Sequence, residues 1–301
     1  MGPTASGKTD LAIQLCESYP FEIISVDSAM VYRHMDIGTA KPSQAILQKI
    51  PHHLIDIIEP ADTYSAADFC ADAEKAVEDI TSRGKLPLLV GGTMLYFKAL
   101  QEGLTDLPSA DPKIREQILQ EATVNGWQSL HETLKKVDPG SAERIHPNDP
   151  QRIERALEVY YLTGKSLTDH FAQRRQFCAG HYSFISIGLF PENREYLHQR
   201  IETRFNQMLS AGWIEEVEQL ISRQQLNFSD PAMKMVGYRQ IGCYLRGEMD
   251  QKTMFNQSIV ATRQLAKRQM TWLRHWPSIT LLDPWKTSSL DKINSMITSM
   301  L

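Results

Sequence analysis

The sequence predicts an α/β protein, a parallel sheet flanked by helices and interrupted by an all-helical insertion. Three observations carry this. A G-x-x-x-x-G-K-[ST] run at residues 2–9 opens directly into an amphipathic segment. Apolar strand-like runs then alternate with helix-like stretches up to residue 100, the spacing of a parallel doubly wound sheet. From Ala110 the strand signals stop for about seventy residues, while Asp-Pro helix starts recur at Asp111-Pro112, Asp138-Pro139 and Asp149-Pro150. The predicted domains are therefore a core of residues 1–110 and 182–301 and a helical insertion of residues 111–181.

Gly2, Pro3, Thr4, Ala5, Ser6, Gly7, Lys8 and Thr9 fit the phosphate-binding loop without a mismatch, which makes the core P-loop NTPase-like. Glycines let the backbone curl so that several N–H groups converge on phosphate oxygens. The following helix, Thr9 to about Ser18, aims its positive dipole end at the same point. Lys8 supplies a cation for the terminal phosphate, and the Thr9 hydroxyl is placed to ligand Mg²⁺. A chance glycine turn before a helix is the bland alternative, disfavoured by the full match. The loop specifies a diphosphate or triphosphate, not a reaction. Such a loop normally follows a buried strand, and only Met1 precedes Gly2. An apolar strand encoded just upstream is the expectation.

Phe21–Val26 reads as a buried strand with Asp27-Ser28 at its C-terminal end, where ligands bind in open α/β sheets. A loop over 29–39 leads to a short strand at His53–Ile58. Ser65-Ala-Ala-Asp68 is a capping box for a helix running to about Arg83. Leu86–Val90 is the next strand, followed by Gly91-Gly92-Thr93, with Thr93 capping a helix from Met94 to Leu100. After the insertion, whose last clear helix stops at Gly164, Tyr182–Leu189 returns to a strand pattern and is expected to rejoin the sheet. Helices follow at Asn193–Ala211, Ile214–Arg223, Tyr238–Arg246 and about Gln251–Arg274. A strand at Ile279–Leu282 and a helix to Leu301 end the chain.

At 301 residues, 42 % hydrophobic and 23 % charged, the composition is that of an ordinary soluble protein. No apolar run is long enough to span a bilayer, and no signal peptide opens the chain, so a cytoplasmic location and no membrane partner are expected. Cys16, Cys70, Cys178 and Cys243 are far apart and read as reduced thiols; His52 and His53 lack partners at zinc spacing. A net charge of −4 by itself disfavours nucleic acid, but the cations are unevenly spread.

Arg200 and Arg204 share a helix face. They read equally as a clamp on phosphate oxygens or as a solvated face paired with Glu202. Residues 260–276 contain Arg263, Lys267, Arg268 and Arg274, no acid, and Trp272 and Trp276 one turn apart. Such a stripe suits a nucleic-acid backbone; a snorkelling basic face is the alternative. Arg152 and Arg155, and Lys234 and Arg239 around Gly237, add weaker cationic clusters. Together they suggest a polyanion reaching both insertion and core.

The blocks GPTASGKT, VDSAMVYRHMDIGTAKP, YSAADF, LLVGGTMLYFKAL, HPNDPQRIERALEVYYLTGK, VGYRQIG and ATRQLAKRQMTWLRHW, in this order, resemble the bacterial tRNA dimethylallyltransferases from Gly2 to about Trp276. The resemblance implies transfer of a dimethylallyl group from dimethylallyl diphosphate to the exocyclic amine of the adenosine 3′ of the tRNA anticodon. It implies that the loop holds the prenyl diphosphate, with Lys8, Arg204 and Mg²⁺ on Thr9 stabilising the leaving group, and that Asp27 receives the amine proton. It further implies tRNA contacts at Asp27, Ser28, Ala29, Met30, Thr93 and Arg115, and at Gln151, Arg152, Ile153, Glu154 and Arg155. The segments Lys234, Met235, Val236, Gly237, Tyr238, Arg239 and Lys267, Arg268, Gln269, Met270, Thr271, Trp272, Leu273, Arg274 complete the expected grip on the anticodon stem-loop. Position 30 is Met where many members carry Gln. The base is expected to be extruded from its loop into the site, and the enzyme is expected to act as a monomer.

Three other readings share parts of this pattern. A small-metabolite kinase would use the loop and arginine pair but not the insertion or the basic helix. An adenylate prenyltransferase acting on free nucleotide would share the loop and Asp27 yet has no use for distributed cations. A non-enzymatic RNA-binding module would have no use for Lys8 and Thr9.

Overall fold

The structure, a computed structural model, describes residues 1–105, 107–172 and 182–299. Cys178, the last part of the predicted insertion (173–181) and the final two residues of the predicted C-terminal helix (300–301) lie outside them. The chain divides into two compact units, Met1–Ala99 with Tyr182–Leu301, and Leu100–His181.

The order begins α1 (Lys8–Ser18), β1 (Phe21–Val26), α2 (Gln44–Lys49), β2 (His52–His53), α3 (Ala66–Ser82) and β3 (Leu86–Gly91) in the first unit, followed by α4 (Met94–Glu102), whose last three residues are counted with the second. The helical unit holds α5 (Pro112–Val137), α6 (Pro139–Arg144), α7 (Pro150–Thr163) and α8 (Leu167–Phe171). The first unit resumes with β4 (Ser186–Leu189), α9 (Arg194–Ser210), α10 (Trp213–Gln224), a 3₁₀ turn at Ala232–Lys234, α11 (Tyr238–Leu245), α12 (Gln251–Arg274), β5 (Ile279–Leu282) and α13 (Thr287–Thr298).

β1 lies between β2 and β3, all parallel, with Phe21 opposite Leu86 and Val26 opposite Gly91. The C-terminal ends of β1 and β3 are therefore level, which sets Asp27 beside Thr93. Two strand expectations are corrected. The predicted strand His53–Ile58 shrinks to two residues, because Leu54 and Asp56 take φ of 62° and 57° and turn the chain out of the ladder. Its remainder folds onto the loop after β1, where Ile57 N–H donates to the Val31 carbonyl at 2.9 Å. The second correction is that β4 pairs in parallel with β5, not with β3, so the described residues carry two hydrogen-bonded sheets. Met1 fills the position beside β4, donating to the Ile187 carbonyl and accepting from Leu189 N–H, each at 2.8 Å. Helix α2, capped by Ser43, has no counterpart among the sequence expectations.

α1 packs Ala12 against Ile23 and Ile50, and Leu15 against Leu282, Ile293 and Ile297, so one helix seals both sheets. The larger core of this unit gathers Val31, Met35, Phe205, Trp213, Tyr238 and Met270. In the helical unit the Asp-Pro starts form as expected: Asp111, Asp138 and Asp149 each cap a helix with their carboxylates, and Gly164 ends α7 at φ 69°. Ile118, Leu130, Leu134, Ile153 and Leu157 fill its core. No helix among the described residues is long and apolar enough to cross a membrane.

Candidate active site

A cavity of about 510 Å³ opens at the C-terminal ends of β1 and β3. Its walls include Thr4, Lys8 and Thr9 from the loop, Asp27, Ser28, Ala29 and Met30 after β1, Thr93 after β3, and Arg204 from α9. Lys234, Met235, Val236 and Tyr238 enter from one side, and Arg268, Gln269 and Trp272 from α12. Residues from six separate stretches of sequence thus face one space.

The phosphate loop is held by its own side chains and by α9. Ser6 Oγ and Lys8 Nζ donate to the Pro3 carbonyl at 2.8 and 2.6 Å. Ala5 sits at φ 62°, a region that costs a residue with a Cβ, and Arg200 Nε fixes its carbonyl at 2.9 Å. Arg200 therefore steadies the loop, its guanidinium stacked near Tyr196 and Trp285, while Arg204 faces the cavity. The solvated pairing with Glu202 falls instead to Arg263, at 3.3 Å.

Burial, reinforced by the nearby Arg204 charge and opposed by Asp27, lowers the Lys8 ammonium to about 8. Burial likewise holds the Arg204 guanidinium below its ordinary value, with Asp27 and Asp10 opposing and Arg200 adding to the depression. Two desolvated cations facing one carboxylate make a site that an anion would relieve.

Asp27 Oδ1 accepts Ala29 N–H at 2.8 Å, which orients the carboxylate. Thr93 Oγ1 accepts Ser28 N–H at 3.0 Å and so ties the ends of β1 and β3 together. The loop beyond is fastened from two directions. The buried Lys41 ammonium donates to the Tyr32 carbonyl, Asp36 and Asp56. Glu216 on α10 collects the N–H groups of Asp36, Ile37 and Gly38 at 2.8, 2.7 and 3.2 Å, and the Tyr238 hydroxyl at 2.6 Å. Trp213 packs so closely on Gly38 and Gly237 that neither position has room for a side chain.

The model of the IPP transferase family matches residues 30–276. The chain belongs to the IPP transferase family. It is 35 % identical to the tRNA isopentenylpyrophosphate transferase of Bacillus halodurans, over 99 % of this chain and 94 % of that one, with a TM-score of 0.71. The tRNA Δ²-isopentenylpyrophosphate transferase of Staphylococcus epidermidis is 34 % identical, over 100 % and 98 %, with a TM-score of 0.69. A eukaryotic dimethylallyltransferase acting on tRNA is 29 % identical over 99 % of this chain and 76 % of its own, with a TM-score of 0.78.

Within this IPP transferase the expected tRNA residues divide into several settings. In α12, Lys267, Arg268, Thr271, Trp272 and Arg274 are exposed, whereas Met270 and Leu273 turn into the core. Arg274 lies over the Phe190 ring and Lys98 over the Trp272 ring. Gly237 and Tyr238 are buried, Lys234 and Arg239 exposed. In the helical unit Gln151 and Arg152 are exposed, while Ile153 is core. Arg115 and Arg155 both clamp the fully buried Glu158 carboxylate, Arg115 also lies 3.3 Å from Glu154, and Arg155 donates to the Pro108 carbonyl. Removing either cation would leave Glu158 under-paired, so both hold the unit together.

A pH profile checks the setting of Lys8. An ammonium that loses its proton near pH 8 in the empty site must regain it to meet an anion. The kcat/KM for the diphosphate donor should be level below about pH 8 and fall about tenfold per unit above it. Lys8→Arg, charged throughout, should move that limb to higher pH.

Proposed function

We propose that this chain transfers a dimethylallyl group from dimethylallyl diphosphate to the N6 amine of the adenosine 3′-adjacent to the tRNA anticodon, releasing diphosphate. The observation that carries this is one cavity that brings a phosphate loop, two desolvated cations and a strand-end carboxylate together with residues of an exposed basic helix face. The carbon–oxygen bond to the diphosphate breaks and the carbon–nitrogen bond to N6 forms. The N6 proton passes to Asp27. Loop N–H groups, Lys8 and Arg204 hold the diphosphate as negative charge builds on its bridging oxygen.

The donor set fits Mg²⁺. Thr9, which lines the cavity, carries a hydroxyl, a hard oxygen donor. Among the described residues no group of three His, Cys, Asp or Glu forms a cage, which suits an ion completed by diphosphate oxygens and water. When bound, Mg²⁺ would neutralise part of the diphosphate charge.

Arg268, Trp272, Lys267 and Arg274 on α12, with Lys234 and Arg239, offer cations and an aromatic face to the anticodon stem-loop. Arg152 and Gln151 offer a polar patch on the helical unit. The enzyme acts in the cytoplasm as a monomer. Labelled dimethylallyl diphosphate incubated with tRNA, AMP and ATP tests the reading: label on tRNA supports it, and label on a free nucleotide alone defeats it. A kinase reading leaves the exposed α12 cations without a role.

The basic face has its own check. Lys267→Gln and Arg274→Gln should each weaken tRNA binding and lower the log–log salt slope by about one unit. Arg263→Gln should not, because Arg263 is engaged with Glu202. An unaltered slope in the first two variants returns this face to an ordinary solvated one.

A further inference from the structure

Gln269 sits within the stretch of α12 expected to meet RNA, between the exposed Arg268 and the buried Met270. Its amide is engaged elsewhere. Oε1 accepts the Thr4 N–H at 2.9 Å, and Nε2 donates to the Gly92 carbonyl at 2.9 Å. The first partner is in the phosphate loop. The second is in the turn after β3 that carries Thr93, the residue tying down Ser28 beside Asp27. One amide thus joins the diphosphate side of the cavity to its adenine side.

The surroundings are shaped for that amide. A Cβ on Gly92 would lie 2.3 Å from Gln269 Nε2 and 3.2 Å from the Gly2 carbonyl oxygen. A residue without a side chain at position 92 lets the Gly2 and Gly92 backbones and the Gln269 amide approach so closely. A phosphate loop works by aiming N–H groups, so the orientation of each of its peptides is part of the binding site. The peptide ending in the Thr4 N–H is oriented by the Gln269 amide, which accepts that N–H at 2.9 Å.

We infer that Gln269 is a positioning residue for the donor diphosphate. It sets the Thr4 peptide and the spacing between the phosphate loop and the β3 turn, and through α12 it links the RNA-facing helix to the donor site. This rests on the reading of the cavity as a prenyl diphosphate site. Gln269→Ala removes both bonds. Gln269→Glu keeps an acceptor for Thr4 N–H but loses the donor to Gly92 and brings a negative charge to an anion site.

The test measures transfer from dimethylallyl diphosphate at saturating tRNA, the active fraction by single turnover, and tRNA affinity by equilibrium binding. Both variants should raise the KM for dimethylallyl diphosphate about 10- to 100-fold, the cost of misplacing a reactant by a fraction of an ångström to one ångström. Their tRNA Kd should stay within about twofold of wild type, since no RNA contact is removed. Weaker tRNA binding with an unchanged donor KM would make Gln269 an RNA contact and overturn the inference. A reduced active fraction with wild-type KM would make it a packing residue only, and also overturn it. If the alanine variant does not fold, the near-isosteric glutamate variant decides. Wild-type protein that labels no tRNA would remove the functional reading itself, an outcome distinct from a wild-type KM in the variants.

Discussion

Asp27→Asn is expected to lower single-turnover transfer by about 10²–10⁴-fold, the range for a lost general base, while donor binding stays near wild type. The amide is close to the carboxylate in size, and its oxygen can still accept the Ala29 N–H that orients the side chain at 2.8 Å. What it cannot do is take a proton. The adenine amine is a weak acid and a weak base, so its proton leaves as or after the new carbon–nitrogen bond forms. A carboxylate at that point suffices. The competing role is a metal ligand, since Asp27 shares the cavity with Thr9. In that case the amide would weaken Mg²⁺ and diphosphate together, and raising Mg²⁺ would restore much of the rate. A Mg²⁺ titration of Asp27→Asn separates the two, and rescue by the ion would sink the base assignment.

Features written in short sequence spans are legible in the sequence alone. The Asp-Pro helix starts, the Ser65–Asp68 capping box and the limits of α12 follow from local backbone chemistry, and they form as read. The placement of Thr4, Lys8, Thr9 and Asp27 around one cavity belongs to the same class, because cavities for ligands open at the ends of parallel strands. The shortened β2 was not legible, since apolar residues at 54–58 look the same whether they pair or turn. Left-handed φ at Leu54 and Asp56 decided it. Pairings across long separations were equally hidden. Arg115 reads as a free cation until Glu158 is brought beside it, 43 residues on. Arg200 and Arg204 look alike in sequence, yet one grips the Ala5 carbonyl and the other faces the cavity.

The residues that sequence reasoning missed have positions in common. Lys41 and Glu216 are not singled out in the sequence, and Gln269 reads there only as a tRNA contact; each spends its side chain on backbone groups near the cavity. Glu216 alone accepts from three consecutive N–H groups and a buried tyrosine. A faint signal existed in the Asp36-Ile37-Gly38 run, where a glycine amid larger residues implies close approach. Trp213 supplies the approach, but nothing in the sequence names the partner.

Arg204→Gln should lower kcat by about 10²–10³-fold, the usual loss of one donor aimed at developing negative charge. Its position explains why the effect belongs to kcat. Lys8 and the loop N–H groups remain to hold the ground-state diphosphate, so the KM for the donor should change less. Arg204→Lys keeps the charge but not the planar set of donors, and should recover only part of the rate. A second readout ties the residue to its neighbour. The Arg204 charge is one of the two influences that lower Lys8, after burial itself. Removing that charge lets the Lys8 ammonium hold its proton to higher pH. The alkaline limb of kcat/KM, set near pH 8 in the wild type, should therefore shift upward in Arg204→Gln even as the plateau falls. Loss of rate with an unmoved limb would mean that the two cations do not share one site. Full kcat with an unmoved limb would reduce Arg204 to a wall of the cavity.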